Sequence, residues 1–252
     1  MPPPPSPPAA RRPPLRRAPR PPPRRCTVTA VPAADAPHSP AAYYLPPALN
    51  GSRPGTYFAN TYLAHERFRF TSEALAFHEA VPGHHVQLAL AQESADLPAL
   101  RRLAWITSYI EGWGLYTERL AEEMGLYSGD LALLGVLAMD SLRAARLVVD
   151  TGLHARGWAR EEAVAFLRAN TAMAEVDLQS ETDRYIEMPG QALSYMVGRL
   201  ELQRLRARAA AEAGPDFDVR AFHDLVLGNG PLPLSVLDDV LAGRLTAARP
   251  NP

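Results

Sequence analysis

The stretch Phe77-His78-Glu79-Ala80-Val81-Pro82-Gly83-His84-His85 decides how the rest of the chain is read. It sets a carboxylate beside one imidazole and returns, after a Pro-Gly pair, with two more. In the common H-E-x-x-H arrangement the two histidines lie one helical turn apart, so both reach one Zn2+ while the intervening Glu faces the water. Here His84 follows His78 by six residues. On an uninterrupted helix that separation turns the side chain by about 240° and carries it about 9 Å along the axis, too far to share an ion. The helix must therefore be reshaped between them. Pro82 removes a backbone donor and clashes with the preceding turn, and Gly83 accepts dihedrals closed to other residues, so the pair can host a bulge that absorbs the extra residues. His78 and one of His84 and His85 are candidate ligands. The plain alternative is a surface histidine tract, or a helix junction that only packs.

A catalytic Zn2+ takes three protein ligands and leaves a fourth position to water. The segment Glu111-Gly112-Trp113-Gly114-Leu115-Tyr116-Thr117-Glu118 offers the best third ligand, Glu111. Gly112 and Gly114 each cost a helix about 1 kcal/mol relative to Ala, which points to a second backbone approaching closely. Glu118 lies two turns beyond Glu111 on the same face and suits the orientation of a ligand imidazole. Further on, Asp150 and His154 are four apart near a helix end, so Asp150 can orient an imidazole toward substrate. Arg184 and Tyr185, then Gln191 and Tyr195, bring a guanidinium, an amide and phenols together. Tyr195 is the first choice to donate to a developing oxyanion. Arg184 or Arg53 is suited to a substrate carboxylate. The structural alternatives are that Arg184 pairs only with Glu181, Tyr195 packs, and His154 is satisfied locally. The apolar stripe over residues 131–149 reads as core.

The first 26 of the 252 residues are dominated by Pro and Arg and cannot bury a core. An organelle transit peptide and a nucleic-acid arm are alternatives for this head, and a disordered start with no role is favoured. Net charge is -1, which excludes a global pull toward nucleic acid or membrane. The single Cys, Cys26, falls in the head, excluding an internal disulfide and a Cys-based zinc site. No apolar run reaches the roughly 18 to 20 residues of a spanning helix, and the head lacks the apolar core of a secretory signal. A soluble, cytoplasmic chain is expected. Residues 27–50, broken by prolines, should be extended and irregular, with a strand over 56–63. Beyond Thr71 the pattern is helical: a helix through His78, resumption at His84 to Glu93, then helices over 98–124, 130–152, 159–170, 173–184, 190–212, 217–227 and 234–246.

Several strings occurring in order carry a resemblance: Gly51-Ser52-Arg53-Pro54-Gly55, His78-Glu79-x-x-Pro82-Gly83-His84-His85, Glu111-Gly112-Trp113, Asp150-Thr151-Gly152-Leu153-His154 and Pro189-Gly190-Gln191-Ala192-x-x-Tyr195. Over residues 27–248 the chain resembles the C-terminal part of the DUF885 family, bacterial proteins similar to helical gluzincin-type zinc metallopeptidases. The resemblance implies a mainly α fold, a multi-helix zincin-like catalytic half with a short N-terminal extended or strand segment. The domain expected over 27–248 lies between the head, 1–26, and a tail, 249–252. It further implies one Zn2+ held by His78, His84 and Glu111, with His85 as the alternative second ligand, Glu79 as general base, and hydrolysis of a small peptide-like substrate. Neither nucleic acid nor membrane is expected as a partner, and the oligomeric state is left open. Family members are about twice this long, so a truncated gene product is expected. Two competing expectations follow. One is a truncated non-catalytic metal-binding fragment. The other is a di-metal carboxylate-histidine bundle built on Glu79, His84, Glu111 and Glu118.

Overall fold

A computed structural model describes residues 25–247. The fold is mainly α, with a small sheet at its N-terminal end. The sheet has the order β1-β3-β2, where β1 is Cys26–Ala30, β2 is Ala42–Leu45 and β3 is Gly55–Ala59. β1 runs parallel to β3 and β2 antiparallel, with Tyr43 opposite Phe58 and Tyr44 opposite Tyr57. Residues 27–50 are therefore more ordered than their prolines suggested. Both strands fit between prolines: β1 ends before Pro32, and β2 lies between Pro40 and Pro46. Cys26 opens β1 and so belongs to the folded domain, not the head. The rest of the expected head, 1–24, and the tail, 249–252, lie outside the described residues. β3 stops at Ala59, short of the expected 63. Asn60 ends it by donating to the carbonyls of Ala36 and Ser39 at 2.8 and 2.9 Å, while its Oδ1 accepts from the Tyr62 amide.

Ten α-helices follow among the described residues: α1 Ser72–Glu79, α2 His84–Glu93, α3 Ala99–Leu103, α4 Thr107–Glu123, α5 Asp130–Ala155, α6 Arg160–Asn170, α7 Glu175–Glu187, α8 Leu193–Ala213, α9 Val219–Gly228 and α10 Leu234–Ala247. The single helix expected over 98–124 is two. Ala104 and Ile106 adopt extended dihedrals between α3 and α4, so Ile106 packs on the main core while Trp105 is turned outward, 59% exposed.

α4 is the central element. Trp113, Tyr116 and Leu120 meet Leu202 and Leu205 of α8, Phe222 and Val226 of α9, and Leu237 of α10 in the largest core cluster. A second cluster joins Leu142 and Val149 of α5 to Leu167 of α6 and Leu178 of α7. The stripe over 131–149 is only partly core. Leu131, Leu134 and Leu137 are exposed, whereas Arg143 and Arg146 of the same helix are buried. Buried guanidiniums need partners, and these find carboxylates inside the fold. No described helix is long and apolar enough to cross a membrane.

Candidate metal centre

The site begins at the break the sequence demanded. α1 ends outright at Glu79 and α2 starts at His84, so the expected bulge is instead a full interruption. Ala80 and Gly83 both leave helical dihedrals there. A Cβ at Gly83 would run into the carbonyls of Phe77 and His78, so only glycine allows the chain to fold back so tightly. α4 pins both sides of the break. The Trp113 indole N–H donates to the Pro82 carbonyl at 3.1 Å, and the Thr117 hydroxyl donates to the Phe77 carbonyl at 3.2 Å.

Folding back brings two imidazoles to one carboxylate. Glu111 Oε2 lies 3.5 Å from His78 Nε2 and 3.4 Å from His84 Nε2, and one ligand atom from each of the three residues falls within 4.8 Å of the others. All three are buried. These separations are long for hydrogen bonds. They match the spacing of about 3.4 Å between donors of a tetrahedral ion with bonds near 2.0–2.1 Å. Two neutral imidazoles and a carboxylate are also the donor types of a catalytic zinc site, so the residues present fit the ion.

Neighbouring groups fix these ligands. The Nδ1–H of His78 donates to Glu118 Oε1 at 2.8 Å, so that in the neutral ring Nε2 turns its lone pair toward Glu111 and His84. Arg143 donates to the same Glu118 oxygen at 3.2 Å. Burial alone would lower the His78 pKa, but Glu111 and Glu118 outweigh it, and without metal the imidazole is pushed up to about 9. Burial would raise Glu111; the two imidazoles instead hold it well below the usual carboxylate range. The His78 ring lies flat on α4 because Gly114 has no side chain: a Cβ there would sit 2.5 Å from His78 Nε2. At Gly112 the close neighbour is backbone, since a Cβ would come 2.5 Å from the Gly198 Cα of α8. Of the two glycines, only Gly112 answers to the second backbone that the sequence suggested.

The centre opens into a cavity of about 350 Å³ bordered by Glu79, Tyr57 and Tyr195, among others. Glu79, the residue after the first imidazole, is buried on its wall. Burial, then the nearby Glu79 carboxylate, pushes the Tyr57 phenol up to about 12. Tyr195 stacks on His78 with ring centroids 6.0 Å apart. Its oxygen accepts from Arg184 Nη2 at 2.8 Å and from Gln191 Nε2 at 3.1 Å. With both lone pairs engaged, the phenol keeps its own hydrogen to donate. Gln191 also reaches Glu111 Oε1 at 3.4 Å, joining this network to the candidate ligands.

Other expected site residues lie elsewhere. His85 turns away, because successive helical residues point about 100° apart. Its Nδ1 meets the Tyr44 hydroxyl of β2 at 2.8 Å, and it does not join the His78–His84–Glu111 cluster. Arg53 closes its own loop by donating to the carbonyls of Pro46 and Pro54, and does not border the cavity. Asp150 does not orient His154. Its carboxylate accepts the Gly190 amide at 3.0 and 3.2 Å, while His154 Nε2 sits 2.9 Å from the Tyr185 carbonyl. Tyr185 is 1% exposed and its hydroxyl accepts from Arg146 Nε, so it supports the wall from behind. Arg143 and Arg146 were missed by sequence reasoning. Their signal was two arginines one turn apart inside an apolar helix.

The profile of DUF885, described as "Bacterial protein of unknown function", matches residues 11–241. The chain belongs to the DUF885 family. A solved structure described as "putative lipoprotein from Colwellia psychrerythraea" is 41% identical with a TM-score of 0.87, covering 90% of this chain and 39% of that one. A second, described as "putative lipoprotein of unknown function from Shewanella oneidensis", is 23% identical with a TM-score of 0.68, covering 86% and 40%, and shares the fold. This DUF885 chain thus spans about two fifths of the length of these relatives. No curated protein matches it.

Proposed function

We propose that this DUF885 chain carries the catalytic centre of a zinc-dependent hydrolase acting on peptide or related amide bonds, with one Zn2+ held by His78, His84 and Glu111. The observation that carries the reading is the convergence of those three ligand atoms within 4.8 Å beside the Glu79 carboxylate on the cavity wall. Zinc there would supply Lewis-acid polarisation of a substrate carbonyl and acidify a water. Glu79 takes the proton of the attacking water and later passes it to the leaving nitrogen. Tyr195, held by Arg184 and Gln191, donates to the carbonyl oxygen as charge builds on it. Glu118 keeps His78 in the tautomer that presents Nε2.

A second reading is a metal-binding chain without turnover. The di-metal bundle is disfavoured, because Glu118 sits against His78 Nδ1 and Arg143, on the far side of the imidazole from Glu111. The lipoprotein descriptions of the relatives favour an exported setting over the cytoplasmic one expected from sequence. Metal analysis and peptide cleavage, with and without chelator, discriminate the readings. The hydrolase predicts one zinc per chain and chelator-sensitive cleavage that Glu79→Gln abolishes while zinc is retained. One zinc without cleavage selects the second reading, and a chain that takes up no zinc sinks both.

A further inference from the structure

Two guanidiniums on the cavity wall share one carboxylate. Arg146 Nη2 donates to Glu181 Oε2, and Arg184 Nη1 lies 3.4 Å from Glu181 Oε1. Their other contacts are neutral: Arg146 Nε donates to the Tyr185 hydroxyl and Arg184 Nη2 to the Tyr195 hydroxyl, each at 2.8 Å. The adjoining Arg67 and Asp177 pair with each other and leave the local balance unchanged. Arg146 and Arg184 together therefore carry one positive charge more than the carboxylate they share. The side chain of Arg146 is only 4% exposed, yet its Nη1 has no hydrogen-bond partner among the described residues. A buried, ionised donor left unmade is costly, so this one is suited to meet an acceptor entering the cavity.

We propose that Arg146 and Arg184 form a subsite for a carboxylate of the substrate, one or two residues from the bond that is cleaved. The inference rests on the hydrolase reading. Arg184 is joined to the metal ligand Glu111 through Tyr195 and Gln191 in three hydrogen-bond steps of 2.8, 3.1 and 3.4 Å. An extended chain advances about 3.3 to 3.6 Å per residue. A carbonyl at the metal centre and a carboxylate at Arg184 are thus separated by a short reach. Planar guanidinium groups suit the two oxygens of a carboxylate. The same excess charge repels a substrate's free ammonium group. The carboxylate is either the free terminus of the peptide or the side chain of an acidic residue beside the cleaved bond.

The test uses the zinc-loaded full chain and three peptides: N-acetyl-trialanine with a free carboxylate, its C-terminal amide, and the amide of the same peptide ending in Glu. Amidation is expected to lower kcat/KM about 100-fold in the parent chain but no more than about threefold in Arg184→Gln, whose turnover of every peptide also falls because Tyr195 loses its support, and Arg184→Lys is expected to restore part of the preference for the acid. If the Glu-terminated amide is cleaved as well as the free acid, the carboxylate comes from a side chain and the subsite stands. Equal cleavage of all three peptides overturns it. Binding of N-acetylalanine and its amide to the metal-free protein, measured by calorimetry, is independent of turnover. Should no peptide be cleaved, the hydrolase reading fails and this arm decides. Tighter binding of the acid by about tenfold, lost in Arg184→Gln with an unchanged circular dichroism spectrum, sustains the carboxylate site. Equal binding of acid and amide overturns it.

Discussion

At Gly114 the missing methyl group is what lets the His78 imidazole lie against α4, since a Cβ would come 2.5 Å from Nε2. Gly114→Ala favours the isolated helix by about 1 kcal/mol but pushes the ligand out of place. We expect helix content to be retained while zinc affinity falls at least about tenfold, read by competition with a chromophoric chelator. Glu118→Gln removes the charge that orients His78, and a loss of about 10- to 100-fold in zinc affinity is expected in the same assay. The convergence of His78, His84, Glu111 and Glu118 was legible because a six-residue spacing demands a break, and a break demands a partner helix. Arg53 and His154 were misread because a polar side chain near others in sequence looks functional, whereas both give their hydrogen bonds to backbone carbonyls. Arg146 was invisible for the opposite reason: its carboxylate partner, Glu181, lies two helices further along the chain.

Among the elements, α4 and α8 approach each other backbone to backbone at Gly112 and Gly198. Gly198→Ala drives a methyl group into the Ser108 carbonyl and the Gly112 backbone. It should destabilise the fold by about 1–3 kcal/mol, as overpacking does, measured by urea unfolding of the metal-free protein. The helices were readable because their period is local. The sheet was not, because β1 finds β3 across 29 residues and nothing within Cys26–Ala30 announces a parallel partner. The split between α3 and α4 was also hidden, since Trp105 and Ile106 fit a helical pattern as well as a turn.

For the molecule as a whole, strong acid should loosen the cavity wall. Burial alone would raise the Glu181 pKa, but Arg146 and Arg184 outweigh it and bring it from 4.5 down to about 2. A carboxylate lowered in this way stabilises the fold fully above its unfolded pKa. That contribution, roughly 3 kcal/mol, is lost as pH falls from about 4.5 toward 2. Thermal unfolding of the metal-free protein should show Tm dropping across that window, with a shallower slope in Glu181→Gln. α4 ties this wall, the His78–His84–Glu111 cluster and the main core into one object. Its residues 109–118 are buried without interruption, whereas α6 hides only Ala163, Val164 and Leu167. In a library of random substitutions, α6 should therefore accept changes on most of its circumference, and the middle of α4 on none. That decapeptide has no permissive side, so a change in it should be tolerated only together with a second change in whatever the residue touches.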